Sequence, residues 1–180
     1  MDTTTLKFTA LQNQIFRLMC INSGQKLNQR EIALHLNATP TGIAKALLAL
    51  KQNELIIINK NHKMNLNLIS LNRNQRTLKL KQLENLKQIY ELELTEYLEE
   101  NYPGTTIILF GSYAKGEDTT TSDIDIAIIG TKNKKINLGI FEKRLERQIN
   151  VNTYKSIKEI NKELKENLFN GLILSGGIEL

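Results

Sequence analysis

The chain has 180 residues, 41% hydrophobic and 24% charged, with a net charge of +5, two histidines and a single cysteine. That balance fits an ordinary globular protein of one domain or two small ones, and one cysteine excludes a disulfide framework. No apolar run approaches the ~20 residues of a bilayer-spanning helix, and Met1-Asp2-Thr3-Thr4-Thr5 lacks the form of a secretion signal, so a cytoplasmic protein with no membrane partner is expected.

The charge is uneven. Residues 1–72 carry eight lysines and arginines against three acids, which is the whole surplus, and a basic front end suggests a polyanionic partner. Apolar residues from Phe8 to Met19 recur at helical spacing, with Cys20 in the same apolar run, until Asn22-Ser23-Gly24 stops the helix. Asn28 and Glu31 have the spacing of a capping box, which opens a second helix through Leu36. After an Asn37-Ala38 turn, Thr39-Pro40 reads as N-cap and first residue of a third helix. That helix is expected to bury Ile43, Leu47 and Leu50 and to leave Thr41, Gly42, Lys45 and Ala49 outward. Strands over 55–58 and 64–68 follow, joined by Lys60-Asn61-His62-Lys63. Three helices and a basic hairpin make a winged helix-turn-helix.

The stretch from Gln29 to Leu47 also resembles the core pattern of prokaryotic regulators of that fold. The resemblance implies DNA binding, with Thr41 and Lys45 in the major groove and Lys60, Asn61, His62 and Lys63 on phosphate or the minor groove. Protein contact alone remains the alternative use. His35 and His62 have no second ligand at zinc spacing.

From Asn74 to Glu100 there is no Gly or Pro, and helix formers dominate. A single connecting helix of ~27 residues, ~40 Å long, is expected, with Leu83, Leu86, Tyr90, Leu94 and Tyr97 as its apolar stripe. Its use as a dimer contact stays open. Asn101-Tyr102-Pro103-Gly104 ends it.

The most informative stretch follows. Thr105–Phe110 reads as a strand, Gly111-Ser112 as a tight turn into a short helix, and Asp123-Ile124-Asp125 as the start of a second strand. Side chains two apart share a face, so Asp123 and Asp125 project together while Ile124, Ile126 and Ile128 enter the core. Adjacent carboxylates repel, and a divalent cation is the usual way to keep both ionised. A Gly-Ser turn beside them supplies N–H groups and a hydroxyl to phosphate oxygens.

Gly111-Ser112, the ten-residue spacer and Asp123-Ile124-Asp125 resemble the signature of the polymerase-β nucleotidyltransferase superfamily, and Gly-Ser-Tyr-Ala-Lys-Gly-Glu is most similar to its minimal prokaryotic branch. The resemblance implies an α+β protein in three parts: a winged helix-turn-helix over 1–72, a long connecting helix over 73–102 and a small mixed-sheet nucleotidyltransferase domain over 103–180. It implies Mg²⁺ or Mn²⁺ on Asp123 and Asp125 as metal-binding and catalytic residues. It also implies a nucleoside triphosphate, ATP by preference, on Gly111, Ser112 and Lys115.

Past the signature, Lys132–Lys135 is a basic loop, and Asn137 caps a helix with Ile140, Phe141 and Leu145 inward and Lys143, Arg144 and Arg147 outside. Gln148–Tyr154 reads as a strand, and Ser156 and Glu159 open a helix to Phe169. Family members place a third carboxylate on that strand, where this chain has Asn150, with Asn152 the other candidate. Glu142 or Glu146 would fill the gap if the alignment slips. An amide donates an oxygen to a metal but is no base near neutral pH. Two functions follow. One is transfer of a nucleoside monophosphate to a protein or small-molecule hydroxyl, in an antitoxin-like role toward a partner ribonuclease toxin. The other is a DNA-binding regulator whose second domain senses nucleotide or forms a homodimer.

Overall fold

The computed structural model describes residues 7–61 and 66–177, which fall into two compact units, 1–77 and 78–180.

In the first unit, α1 (Ala10–Ile21) opens on a capping box in which the Thr9 hydroxyl accepts the Gln12 N–H and the Gln12 amide accepts that of Thr9. A two-residue strand, β1 (Leu27–Asn28), precedes α2 (Gln29–Leu36), which begins with the Asn28–Glu31 capping box expected of it. Asn37 turns the chain in left-handed geometry, and Thr39 caps α3 (Pro40–Gln52), with Pro40 at the first position. Strands β2 (Ile56–Asn61) and β3 (Leu66–Leu71) pair antiparallel, giving the sheet order β1-β3-β2. Helix, helix, turn, helix and hairpin in this order are a winged helix-turn-helix. Its core holds Ile15, Met19, Ile32, Ile43, Leu50 and Ile69, all fully buried, with Cys20 among them.

Two details differ from expectation. The hairpin's second strand runs to Leu71, because Ile69 and Leu71 are the residues it buries. On α3 the buried stripe is Ile43, Ala46, Leu47 and Leu50, which leaves Thr41, Lys45 and Leu48 outward and Ala49 half-buried.

The second unit is a four-stranded mixed sheet in the order β6-β5-β4-β7. Here β4 (Thr106–Phe110) runs antiparallel to both β5 (Ile124–Ile129) and β7 (Leu172–Ser175), while β6 (Ile149–Tyr154) runs parallel to β5. One face packs Ile107, Leu109, Ile124, Ile126 and Ile128 against Ile89, Leu94, Leu98 and Leu145. The other packs Ile108, Phe110 and Ala127 against Ile160 and Leu168. Alternation along each strand feeds both faces, as strand geometry requires.

The expected single connecting helix is two: α4 (Gln75–Glu91) and α5 (Leu94–Asn101), broken where Glu93 takes left-handed geometry at φ 57°. The cause is packing. Ile89 and Leu94 are five residues apart, about 140° around a straight helix, yet both are fully buried in one cluster. The break rotates α5 so that Leu94 and Leu98 join Ile89. Leu83 and Tyr90, expected inward, are exposed, and α4 instead buries the polar residues Lys81, Asn85 and Gln88.

Two later segments are also redrawn. The helix expected from Ser156 is a 3-10 turn (Ile157–Glu159), then extended Ile160, then α8 (Lys162–Phe169), capped by Asn161 at 2.8 Å from the Leu164 nitrogen. Extension at Ile160 drives that side chain into the core. On α7 (Gly139–Leu145) Leu145 is buried and Phe141 packs on Tyr97, but Ile140 is exposed and Arg147, expected outside, is buried. Among the described residues no helix is long and apolar enough to cross a membrane.

Candidate active site

The site forms where β4 ends and β5 begins. Phe110 of β4 is the register partner of Asp125, and Asp125 in turn pairs with Asn150 of β6. Directly after Phe110, Gly111 opens α6 (Gly111–Lys115) at φ +76°. A Cβ there would sit 2.6 Å from Asp125 Oδ2, so only glycine lets this backbone approach the carboxylate. Ser112 comes next, its carbonyl accepting the Glu117 N–H at 2.9 Å, and half-buried Lys115 closes the helix.

Asp123 is the exposed last residue of the loop into β5, and the Ile124 N–H is held by the Gln148 carbonyl at 2.8 Å. Asn150 joins the two acids: its Nδ2 donates to Asp123 Oδ2 at 3.1 Å and to Asp125 Oδ1 at 3.4 Å. The amide therefore shares a face with both carboxylates and points its donor at them. Turned the other way, the same side chain presents a carbonyl oxygen, the hard donor type that suits Mg²⁺ or Mn²⁺. Two aspartate carboxylates, an amide and a backbone kept free of a Cβ are a donor set that fits a divalent cation and phosphate oxygens.

No group of three metal-ligating acids, histidines or cysteines occurs among the described residues. Of the two other acids, Glu142 accepts the Ile149 N–H through Oε1 at 3.1 Å, and both Glu142 and Glu146 line the cleft that holds Asp123. Beside Asp123 lies a polar cleft of about 460 Å³ lined by Thr120, Thr121, Ser122, Glu142, Lys143 and Arg147, among others.

One group escaped the sequence reading. Asp118, in the loop between Gly116 and Asp123, is buried with Lys81, Asn85 and Arg147. Asp118 Oδ1 meets Lys81 Nζ and accepts from Asn85 Nδ2 at 2.7 Å, and Oδ2 faces Arg147 at 3.7 Å. Lys81 and Asn85 stand four apart on a polar helix, which in a sequence is the mark of a solvated face; nothing local announces their burial.

In the first unit, Thr41 and Lys45 lie one turn apart on the exposed face of α3, and Lys60 and Asn61 close β2, exposed and half-buried. His62 and Lys63 lie outside the described residues.

Comparison with known proteins bears on the second unit. The family described as "Nucleotidyltransferase domain" matches residues 91–175. Three proteins of Methanocaldococcus jannaschii, each named "Putative protein adenylyltransferase", are similar to this chain. One is 33% identical over 98 residues, which is 49% of this chain and 97% of that protein. This chain belongs to the nucleotidyltransferase-domain family. The other two are 46% identical over 50 residues and 47% identical over 49, amounting to 28% and 27% of this chain. The chain spans 57% and 49% of their lengths. Among solved structures, adhesin competence repressor from Streptococcus pyogenes has a TM-score of 0.44 at 16% identity, covering 57% of this chain and 72% of that one. A mutant of Lactococcus lactis ZitR, in complex with DNA, has a TM-score of 0.42 at 21% identity, covering 57% and 67%. Within this nucleotidyltransferase-domain chain, the family segment holds the Gly111–Asp125 stretch and Asn150, while Lys81 and Asn85 precede it.

Proposed function

We propose that the chain transfers a nucleoside monophosphate, AMP from ATP, to a hydroxyl of a protein or small molecule, and that the winged helix binds DNA. The observation that carries the transferase reading is the convergence of Gly111, Asp123 and Asp125 at one strand end. AMP and a protein acceptor are favoured by the name shared by the three archaeal relatives. Asp123 and Asp125 would hold Mg²⁺ or Mn²⁺, with Gly111, Ser112 and Lys115 on the phosphates. A cation held there supplies positive charge to the triphosphate.

The chain's own residues align the nucleotide for attack. The acceptor oxygen forms a bond to the α-phosphorus, the bond from that phosphorus to the bridging oxygen breaks, and pyrophosphate leaves with the electron pair. Asn150 cannot take the acceptor's proton, which passes to solvent or to the leaving pyrophosphate. DNA would meet Thr41, Lys45, Lys60 and Asn61, with His62 and Lys63 in the same reading. An antitoxin-like role, with a partner ribonuclease as acceptor, suits a small transferase joined to a DNA reader; a ribonuclease reading frame beside this one would support it.

Asn150 favours a second reading, a DNA-binding regulator whose nucleotidyltransferase domain senses nucleotide or forms a homodimer. Incubation with labelled nucleoside triphosphates, Mg²⁺ or Mn²⁺ and cell extract separates the two. Label transferred by the natural chain and lost in Asp123→Ala/Asp125→Ala supports the enzyme. Nucleotide bound with nothing labelled supports the sensor.

A further inference from the structure

The buried group around Asp118 carries more charge than folding asks for. Buried ions are costly unless paired, and apolar residues of similar size often replace such a group without loss of stability. Yet Lys81, with no exposed surface, and Arg147 converge with the Asn85 amide on one carboxylate.

The partners come from three segments, and each segment leads to the site. Asp118 lies in the loop that ends at Asp123, where Thr119 and Ser122 close a turn through the Ser122 N–H and the Thr119 carbonyl at 3.1 Å. Arg147 adjoins Gln148, whose carbonyl holds the Ile124 N–H next to Asp123. From α4, Asn85 Nδ2 also reaches the Tyr113 carbonyl at 2.9 Å, and Gln82 Nε2 reaches that of Ala114 at 2.6 Å, so the same helix grips α6 behind Gly111 and Ser112. The approach is close enough that a Cβ on Gly116 would lie 2.2 Å from the Leu78 carbonyl oxygen.

We propose that Asp118, Lys81 and Asn85 are positioning residues of this site, fixing the Gly111–Ser112 turn and Asp123 relative to one another from a helix that begins outside the family segment. The proposal rests on the transferase reading only for what the positioned atoms bind. The Asp118 carboxylate is the common anchor. Its charge holds Lys81 and Arg147, and its loop carries Asp123.

The test uses the full chain, as natural protein, Asp118→Asn, Lys81→Met and the double variant Lys81→Met/Asp118→Leu, which removes the charges of Lys81 and Asp118 and leaves that of Arg147. Three quantities are read: thermal unfolding, Mn²⁺·ATP binding by calorimetry, and amide hydrogen exchange over residues 116–124 without nucleotide. The single variants are expected to melt lower. The double variant is expected to melt above Asp118→Asn, since Lys81 is no longer a buried charge without its carboxylate, while exchange over 116–124 stays at least tenfold faster than in the natural chain and Mn²⁺·ATP affinity stays at least tenfold weaker. Natural exchange and natural affinity in the double variant would overturn the proposal and leave the cluster a matter of folding alone. Should the natural chain bind no Mn²⁺·ATP, the transferase reading falls, and the exchange rates still decide whether the cluster positions the loop.

Discussion

Asn150 concentrates the chemistry of the site in one side chain. Its amide donates to both carboxylates, where an acid would repel them. Asn150→Asp should lower the melting temperature in chelator, and Mn²⁺ should raise it by more than it does for the natural chain, as melting curves with and without metal will show. Gly111→Ala combines a left-handed φ with a Cβ driven against Asp125 Oδ2. We expect it to lose about 1–3 kcal/mol of stability by denaturant unfolding and to abolish labelling. Tyr102 makes a different prediction. Burial raises its phenol above the usual 10.0, a hydrogen bond with the Lys134 backbone opposes this, and Tyr97 adds a smaller upward push. The unfolded chain therefore ionises first, and stability present below pH 10.0 falls as pH rises through the folded value. Tyr102→Phe should flatten that alkaline fall in melting temperature.

Among the elements, α4 and α5 show how packing overrides propensity. Nothing between Asn74 and Glu100 is a helix breaker, yet Glu93 adopts left-handed geometry so that Ile89, Leu94 and Leu98 meet in one core. A non-glycine residue pays roughly 1–2 kcal/mol for that conformation. Glu93→Gly should therefore raise the melting temperature by a few degrees. Leu98→Ala, at a fully buried position, should cost about 2–5 kcal/mol in denaturant unfolding. Were α4 and α5 one straight helix, Leu98 would lie off the core and the substitution would be nearly neutral.

At the scale of the whole molecule, the entire charge surplus sits in residues 1–72, on the unit that forms the winged helix. If that unit reads DNA, affinity should fall steeply with salt, and Lys45→Ala and Lys60→Ala should each lower the log–log salt slope by roughly 1. Fluorescence titrations from low to physiological salt check this. A slope unchanged by both substitutions would move the winged helix to protein contact, a use the exposed Leu48 on α3 also suits.

Much of this protein is local chemistry, and local chemistry is legible in a sequence. The Asn28–Glu31 capping box, Thr39-Pro40, the strand alternation around Ile124–Ile128 and the Gly-Ser and Asp-x-Asp spacing each act within a few residues, so they announce helices, turns and the paired acids directly. The family resemblance pointed to Asn150 with Asn152 left open, and it is the pairing of β6 with β5 that sets Asn150 opposite Asp125. Only the tertiary structure decided the rest. The break at Glu93, the inward turn of Ile160 and the burial of Lys81, Asn85, Asp118 and Arg147 answer to partners far along the chain. Lysine and aspartate in a polar helix and a polar loop look solvated until the fold brings opposite charges together. Pairing across segments offsets the desolvation cost of their burial, and no short window of sequence contains those partners.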